Sequence, residues 1–378
     1  MARSIFEEVG TAERRAPAKV AIGRPEGARR GVRLWLWLLF ALVVLMIAVG
    51  GLTRLTDSGL AITEWAPIRG AVPPLSAADW QAEFDAYRAI PEYRLQNKGM
   101  SLGEFQSIYW WEWGHRQLGR VIGLVWAAGF VVLLATRSIP PGWTGRLLLL
   151  GALGGLQGAI GWWMVSSGLT GTALDVASYR LAVHLGLAFV ILGLIARFAF
   201  QLSRSEAANI AARRERDARA QRLAAIWIPL TFGQILLGAL VAGIDAGRTY
   251  TDWPLMAGGL LPPDPFGLMP LWRNFFEDPG LVQFMHRVWG YALLAFAVYA
   301  WRVGRASPNA NVRAAFIAGF AMTLVQMALG IATVLLAAPW WIAIVHQAGA
   351  VFLWVLVIRA WHVAGAPDRV SVRGRAAA

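Results

Sequence analysis

The most informative absence in this sequence of 378 residues is cysteine, which does not occur. Its absence excludes structural disulfides, thiolate zinc sites, iron–sulfur clusters and a cysteine nucleophile. Charged residues are also scarce, at 15% of the chain, whereas an average soluble domain is about a quarter charged. Because hydrophobic residues make up 57% of the chain, the composition excludes a disordered protein and argues against a soluble globular enzyme.

Long apolar runs recur along the chain. A helix that crosses a bilayer needs roughly 20 mostly apolar residues. Eight stretches meet this requirement, at 34–52, 108–136, 147–167, 178–201, 223–243, 282–303, 314–336 and 341–363. The first 33 residues are polar, so we expect no cleavable signal peptide. The sequence therefore predicts an all-α polytopic membrane protein.

The net charge of +13 is distributed unevenly across the predicted membrane. The tails and loops on one side carry 22 lysines and arginines, and those on the other side carry seven. The positive-inside rule then predicts that both termini are cytoplasmic. We interpret the basic charge as a signal for topology and for contact with lipid headgroups, and we expect no nucleic-acid partner.

The two halves of the chain contain matching motifs in the same order, which predicts an internal repeat. Each copy has four spans, so both have the same orientation, and we expect two four-helix bundles related by a pseudo-twofold axis along the membrane normal. The predicted divisions are a tail at 1–33, a first half at 34–201, a solvated helical linker at 202–222, a second half at 223–363 and a tail at 364–378.

The two long external segments contain signals for helix starts. Ser76 is followed by Asp79, and Ser101 by Glu104, at the spacing of a capping box. The first pattern opens a short amphipathic stretch with Trp80, which we expect to lie on the outer membrane interface. The pair Asp278-Pro279 predicts the start of the sixth span.

Histidine is rare, with five in the chain, and four of them occupy matching places in the repeat: His115, His184, His286 and His346. Each lies nearer the external end of its span. A polar ring inside lipid is costly and marks a functional candidate. The alternative for any one histidine is a structural hydrogen bond to a neighbouring helix, but four at similar depth favour a ligand. We interpret His362, which has no repeat partner, as an interfacial residue.

Haem is the ligand that best suits two facing histidines. Zinc would need a third or fourth ligand, and a proton relay would need more buried acids. Haem needs one or two axial imidazoles and a large apolar pocket. We therefore predict two bis-histidine haem sites, His115 with His184 and His286 with His346. The expected pocket material is glycine, tryptophan and arginine: Gly154, Gly155, Gly158, Gly161, Trp110, Trp111, Trp113, Trp162, Trp163, Arg116 and Arg287.

One carboxylate distinguishes the halves. Glu112 lies one helical turn before His115, whereas the matching residue before His286 is Gln283. This difference suggests chemistry at the first site, where Glu112 could handle protons, and a more passive role at the second. The alternative is that Glu112 forms a purely structural ion pair with Arg116.

Several motifs together resemble the haem A synthase family, in its mitochondrial and alphaproteobacterial branch, from the first span to the last. They are Gly50-Gly51-Leu-Thr-Arg54-Leu-Thr-Asp57-Ser-Gly59-Leu with Trp65, Tyr109-Trp-Trp-Glu112-Trp-Gly-His115-Arg116, Gly158-Ala-Ile-Gly161-Trp-Trp-Met-Val165, Tyr179-Arg-Leu-Ala-Val-His184 and Asp245-Ala-Gly247. Some other bacterial members have a cysteine pair in the first external loop; this chain has none.

The resemblance implies an activity. It is the oxidation of a methyl group of haem O to the formyl group of haem A, for cytochrome oxidase, through successive hydroxylations to an alcohol and a gem-diol. By the same resemblance, the substrate haem is held by His115 and His184 as axial ligands of its iron, and Glu112 is the catalytic residue of this site. His286 and His346 are implied to hold a haem b cofactor that passes electrons.

The residues alone leave two rival functions open, a diheme b-type electron-transfer cytochrome and a haem transporter or chaperone. The expected partners are haem O, a haem O synthase (farnesyltransferase), cytochrome oxidase assembly factors and membrane lipid, and the sequence is compatible with a homo-oligomer. The expected location is the bacterial inner membrane, with the haem sites toward the periplasmic side.

Overall fold

A computed structural model describes residues 26–171 and 174–367 of the chain. Within these ranges the fold is entirely helical. Eight long helices dominate: α1 (Glu26–Leu55), α4 (Leu102–Ala135), α5 (Thr144–Val165), α6 (Ser178–Leu202), α8 (Ala218–Gly243), α10 (Pro279–Gly304), α11 (Ala310–Leu335) and α12 (Trp340–Gly365). All eight are long and apolar enough to cross a membrane, which confirms the predicted all-α multi-pass protein.

Four shorter helices lie between the spans: α2 (Ala77–Arg88), α3 (Pro91–Leu95), α7 (Glu206–Arg214) and α9 (Asn274–Glu277). We call the side with the long connections 56–101 and 244–278 the loop face, and the opposite side the arginine face. Most of the two predicted tails, residues 1–25 and 368–378, lies outside the described residues.

Helix α4 begins six residues before the predicted span. Its 34 residues correspond to about 51 Å, which exceeds the roughly 30 Å of bilayer hydrocarbon. Helix α4 therefore extends beyond the bilayer at the loop face. His115 lies thirteen residues into α4, whereas the other three histidines of the predicted sites lie six or seven residues into their helices.

The predicted helix starts are confirmed. Ser76 and Ser101 each form a reciprocal capping box with the acidic residue three positions later. The side chain of Asp278 accepts a hydrogen bond from the Leu281 N–H, with Pro279 at the first helical position. These caps satisfy backbone N–H groups that would otherwise lack partners at a helix end.

The apolar face of α2 is covered by α4, and the placement of α2 on the membrane interface stays a prediction. Phe84 and Tyr87 are buried, and both rings stack against Phe105 at centroid distances of 5.0 and 5.2 Å. Trp80 contacts Tyr109 at 5.0 Å. The start of α4 supplies enough aromatic surface to cover α2, so this amphipathic pattern serves protein packing.

The same ring of helix contacts occurs in each half. In the first half α1 and α5 each contact both α4 and α6, and in the second half α8 and α11 each contact both α10 and α12. Across the halves, α6 contacts α8 and α12, and α1 contacts α12. The pseudo-twofold rotation between the halves stays a prediction.

Helices α6 and α12 form the centre of the molecule. The most apolar segments of these two helices are 56% and 39% buried, which is more than in the other spans. The indole N–H of Trp354 in α12 donates to the carbonyl oxygen of Phe189 in α6 at 2.8 Å. This bond satisfies a polar group inside the apolar interface between the halves.

The segment between the halves is not one continuous helical linker. Ser205 caps α7, and α8 begins at Ala218 with Asp217 as its cap. The N–H of Asp217 donates to the Ala364 carbonyl oxygen at 2.9 Å. The interruption at 215–217 therefore anchors the start of the second half to the end of α12.

Candidate functional site: two histidine pairs at the loop face

The first-half histidines lie against glycines of neighbouring helices. A Cβ atom added to Gly50 of α1 would lie 3.0 Å from Nε2 of His115, and one added to Gly161 of α5 would lie 2.8 Å from Cε1 of His184. The glycines allow each ring to lie directly on a helix backbone.

The second half repeats this arrangement. A Cβ atom added to Gly238 of α8 or to Gly330 of α11 would lie 3.1 Å from Cε1 of His286 or His346, respectively. We call these two residues, with Gly50 and Gly161, the seat glycines. The rings of His286 and His346 face each other with centroids 6.5 Å apart and planes inclined by 84°.

This spacing suits a haem iron between two imidazoles. With metal–nitrogen bonds of about 2 Å on opposite sides of the metal, the ring centres would be roughly 6 Å apart. Across residues 26–171 and 174–367, no three histidine, cysteine or acidic side chains form a group that could hold a metal ion. The donor set of each pair therefore fits axial ligation of haem and does not fit a tetrahedral zinc site.

Glu112 is buried one turn before His115 and makes several polar contacts. Its Oε1 accepts hydrogen bonds from Nε and Nη2 of Arg116 at 3.0 and 2.6 Å. Its Oε2 accepts from the Ile62 N–H at 2.8 Å. Arg116 also donates to the Ile62 carbonyl oxygen at 2.7 Å. The ion pair considered from the sequence is thus present, and it fastens the loop after α1.

A glutamine–arginine pair makes the same attachment in the second half. Gln283 and Arg287 both donate to the Tyr250 carbonyl oxygen at 3.0 Å. Arg287 also donates to Oε1 of Gln283 at 3.2 Å. Because an amide is sufficient to fasten the loop here, this task does not require the negative charge of Glu112.

Comparison with known proteins identifies the family. A family model described as "Cytochrome oxidase assembly protein" matches residues 33–358. Proteins named Heme A synthase from Dinoroseobacter shibae and Ruegeria pomeroyi are 64% and 62% identical, each over at least 98% of both chains. The Paracoccus denitrificans protein of the same name is 59% identical over 92% of both chains. The chain belongs to the haem A synthase family.

The tryptophans and glycines that were expected to line the first haem pocket differ in their surroundings. The five tryptophans expected to wall the pocket do not share one environment: Trp110, Trp111 and Trp163 are exposed, whereas Trp113 and Trp162 are half-buried. Three glycines of α5 have open space where a Cβ would lie: Gly154, Gly155 and Gly158. This face of α5 therefore leaves room for a flat ligand.

An apolar cavity of about 670 Å³ lies at the loop face of the second half. Its lining includes Trp253, Phe284, Arg287 and Tyr291. No histidine lines it, but Arg287 directly follows His286. The cavity therefore adjoins the second histidine pair and carries a cation suited to a carboxylate.

The sequence interpretation missed a cluster of charges around Arg54. Its guanidinium contacts Asp57 at 2.9 Å, Asp175 at 3.4 Å and Asp245 at 2.8 Å, and its side chain is only 13% exposed. Asp175 precedes α6, and Asp245 follows α8 in the second half. The cluster therefore ties the two halves together, and its members lie too far apart in sequence for spacing to reveal them.

Glu92 was missed as well. It is 3% exposed, and its Oε1 accepts a hydrogen bond from Asn97 at 3.4 Å, while Oε2 is a buried atom without a partner among the described residues. Burial, with the nearby carboxylates of Asp175, Asp57 and Glu112, raises its pKa to about 8. A Pro-Glu pair that starts a short helix gives no signal of such burial in the sequence.

Proposed function

We propose that this protein is a haem A synthase, which oxidises a methyl group of haem O to the formyl group of haem A by successive hydroxylations, for cytochrome oxidase. The relatives named Heme A synthase support this function, since those cited above cover nearly the whole chain at 59–64% identity. The observation in the molecule that supports it best is the carboxylate of Glu112, which has only an amide as its counterpart in the other half.

In this proposal the two histidine pairs have different tasks. His115 and His184 bind the iron of the substrate haem, and His286 and His346 bind haem b. When bound, haem b supplies reversible one-electron transfer. The seat glycines fit this arrangement, because they leave each imidazole in direct contact with a rigid helix backbone.

Glu112 is the proposed catalytic residue. Conversion of a methyl group to a formyl group breaks two C–H bonds, and a carboxylate near the substrate can take up or return a proton in these steps. A carboxylate oxygen has two lone pairs, and Oε2 uses one of them for the Ile62 N–H. Arg116 and the Ile62 N–H hold the carboxylate in place.

Replacement of Glu112 by glutamine tests this role. A strain that lacks the gene should contain no haem A, and the wild-type gene should restore it. We expect Glu112→Gln to lower haem A formation by about 100-fold or more and to leave haem O or the alcohol, as identified by chromatography of extracted haems. Conversion at the wild-type rate would remove the role of Glu112.

The second half provides a folding control for this exchange. Gln283→Glu makes the reverse change at the matching position, and Glu112→Gln recreates the pair found there. We therefore expect normal amounts of both variants in the membrane, measured by immunoblot. Haem A that persists in the deletion strain, in the absence of a second homologue, would overturn the enzyme assignment.

The haem b assignment has its own test. Replacing His286 or His346 by alanine should lower the haem b content of the purified protein to less than half that of wild type without preventing membrane insertion. Pyridine haemochrome spectra of equal amounts of protein measure this content. An unchanged haem b content in both variants would refute the assignment.

The two rival functions are not favoured. A diheme electron-transfer cytochrome and a haem transporter would each explain paired histidines, but neither needs a carboxylate at one pair only. The haem extraction described above separates them from the synthase, because neither would change the chemical identity of the haem.

The proposed location is the bacterial inner membrane, with both termini in the cytoplasm and the histidine pairs toward the periplasm. The arginine excess supports this orientation. A farnesyltransferase that makes haem O would supply the substrate, and cytochrome oxidase assembly factors would receive the product. A homo-oligomer stays a prediction.

A further inference from the structure

Three of the four histidines are contacted by a glutamine side chain from a neighbouring helix. Nε2 of Gln157 donates to the His184 carbonyl oxygen at 2.9 Å and lies 3.2 and 3.4 Å from Nδ1 and Nε2 of that ring. Nε2 of Gln234 donates to the His286 carbonyl oxygen at 3.1 Å and lies 3.1 and 3.2 Å from Nδ1 and Nε2 of that ring.

The remaining histidine of the second half has the same kind of contact. Nε2 of Gln326 donates to the His346 carbonyl oxygen at 2.7 Å and lies 3.2 Å from Nδ1. An amide that contacts both the backbone and the ring of one residue restricts rotation of that ring. The amide Nε2 is a donor and cannot accept the second ring N–H of a ligating histidine, so its contribution is to hold the ring in one orientation, which raises the affinity of the ligand for its metal.

His115 is the exception, because a methionine takes the place of the glutamine. Met46 and Gln234 each lie four residues before a seat glycine. Each also lies beside the glycine one turn after the histidine: a Cβ atom added to Gly119 would lie 3.5 Å from Cε of Met46, and one added to Gly290 would lie 3.4 Å from Nε2 of Gln234. A thioether cannot donate a hydrogen bond. Among the described residues, no side chain forms a hydrogen bond with the His115 ring.

The two pairs therefore differ in how firmly their rings are held. Both imidazoles of the second pair, His286 and His346, are contacted by a glutamine. In the first pair only His184 has this support, and His115 rests on glycine backbone alone. This asymmetry agrees with the proposed tasks of the two pairs. The substrate haem at the first pair must leave after each reaction, whereas the haem b cofactor at the second pair must stay.

We propose that Gln234 and Met46 are positioning residues that set the haem exchange rates of the two sites, slow at His286 and fast at His115. This proposal rests on the proposed function, because it requires haem at both pairs. Loss of a supporting contact of this kind typically lowers metal affinity by about 10- to 100-fold. Gln234→Met should therefore lower the affinity for haem at the second site by this factor, and Met46→Gln should raise it at the first site by a similar factor.

The test uses full-length protein purified in detergent with its haem. Excess apomyoglobin captures released haem, and its absorbance gives the release rate. We expect Gln234→Met to release haem b about 10- to 100-fold faster than wild type, and Gln326→Met to do the same. The fraction of high-spin haem in the absorption spectrum should rise in parallel, because a loosely held imidazole leaves the iron more often.

The reverse variant keeps the test independent of damage to the fold. Met46→Gln should slow haem release from the first site by a similar factor, so that haem O or haem A remains with the protein during purification. Gln221→Met, in α8 near Gly365 and at the opposite end of that helix from Gln234, is the control for the glutamine-to-methionine exchange and should release haem at the wild-type rate.

Each part of the proposal has a result that overturns it. Haem b release from Gln234→Met at the wild-type rate, with an unchanged spectrum, would overturn the role of Gln234. Unchanged release from the first site in Met46→Gln would overturn the role of Met46. Both results differ from failure of the proposed function, which would appear as haem A in the deletion strain.

Discussion

At the residue scale, Glu92 should make stability depend on pH. Its pKa is raised from the ordinary 4.5 to about 8, so the folded protein keeps a proton that the unfolded chain loses. Folding is therefore penalised increasingly as pH rises from about 4.5 to 8. We expect Glu92→Gln to raise the Tm in detergent by on the order of a few degrees at pH 8.5 and by little at pH 5.

The exposed Glu64 provides the control for this prediction. Glu64→Gln should follow the wild-type dependence of Tm on pH, because its side chain is not buried. If plots of Tm against pH for Glu92→Gln and for wild type run parallel from pH 5 to 8.5, they contradict the buried, protonated state of Glu92.

The residues that could be predicted from the sequence are those with a signal of their own. The four histidines and the exchange of Glu112 for Gln283 follow from the repeat, because matching positions can be compared directly. Gln234 could not be predicted, since its counterpart Met46 is recognised only once both side chains are seen to contact equivalent glycines.

At the element scale, the last turns of α1 serve both halves. Nε2 of Gln347 in α12 donates to the Ile47 carbonyl oxygen at 2.6 Å. Gly50 supports the His115 ring, and Arg54 binds Asp245. A displacement of this segment would therefore affect the first histidine and the contact between the halves together.

Removal of the Arg54 charge tests this element. Arg54→Met would leave the carboxylates of Asp57, Asp175 and Asp245 close together without their cation. They are each about 40% exposed, so we expect a loss of about 1–3 kcal/mol, less than for a fully buried pair. The measurement is the Tm in detergent at pH 7 and at pH 4, where the loss should be smaller, because burial raises the pKa of Asp175 and favours its protonated form.

Arg88→Met is the matched control for this prediction. Its contact with Asp85 is 3.4 Å long and more than half exposed, so its removal should change the Tm by less than a degree or two. Equal losses in the two variants would show that the Arg54 cluster contributes no more than an ordinary surface pair.

The helix boundaries show which sequence signals are sufficient to predict where a helix starts. Hydropathy alone predicted a start at 108 for the second span, whereas the capping box at Ser101 marks the true start of α4. Three of the six intervening residues are polar, and the aromatic one, Phe105, is buried against α2. Hydropathy measures only suitability for lipid, so it could not include them.

At the scale of the whole molecule, the proposed topology can be tested with single cysteines. Ile68 and Leu260 lie on the loop face and are 85% and 81% exposed. We expect a maleimide that cannot cross membranes to label Ile68→Cys and Leu260→Cys in cells with a permeabilised outer membrane. Arg216→Cys, exposed on the arginine face, should be labelled only after the inner membrane is opened. The opposite pattern would reverse the proposed orientation.

The arrangement of the spans could be predicted less well than their number. Eight apolar runs and a repeat follow from composition and motif order. The contact between α6 and α12 depends on pairs such as Phe189 and Trp354, which are separated by 165 residues. Which span of one half meets which span of the other is decided by side-chain fit, and a single sequence carries no direct signal of that fit.

The seat glycines have a consequence for how this gene tolerates mutation. Every single-base missense change in a glycine codon introduces a residue with a Cβ atom. At Gly50, Gly161, Gly238 and Gly330 that atom would meet an imidazole at 2.8–3.1 Å, so even alanine requires the ring to move. These four codons should therefore have almost no neutral missense neighbours, and in a saturation library they should be as intolerant as the histidine codons themselves.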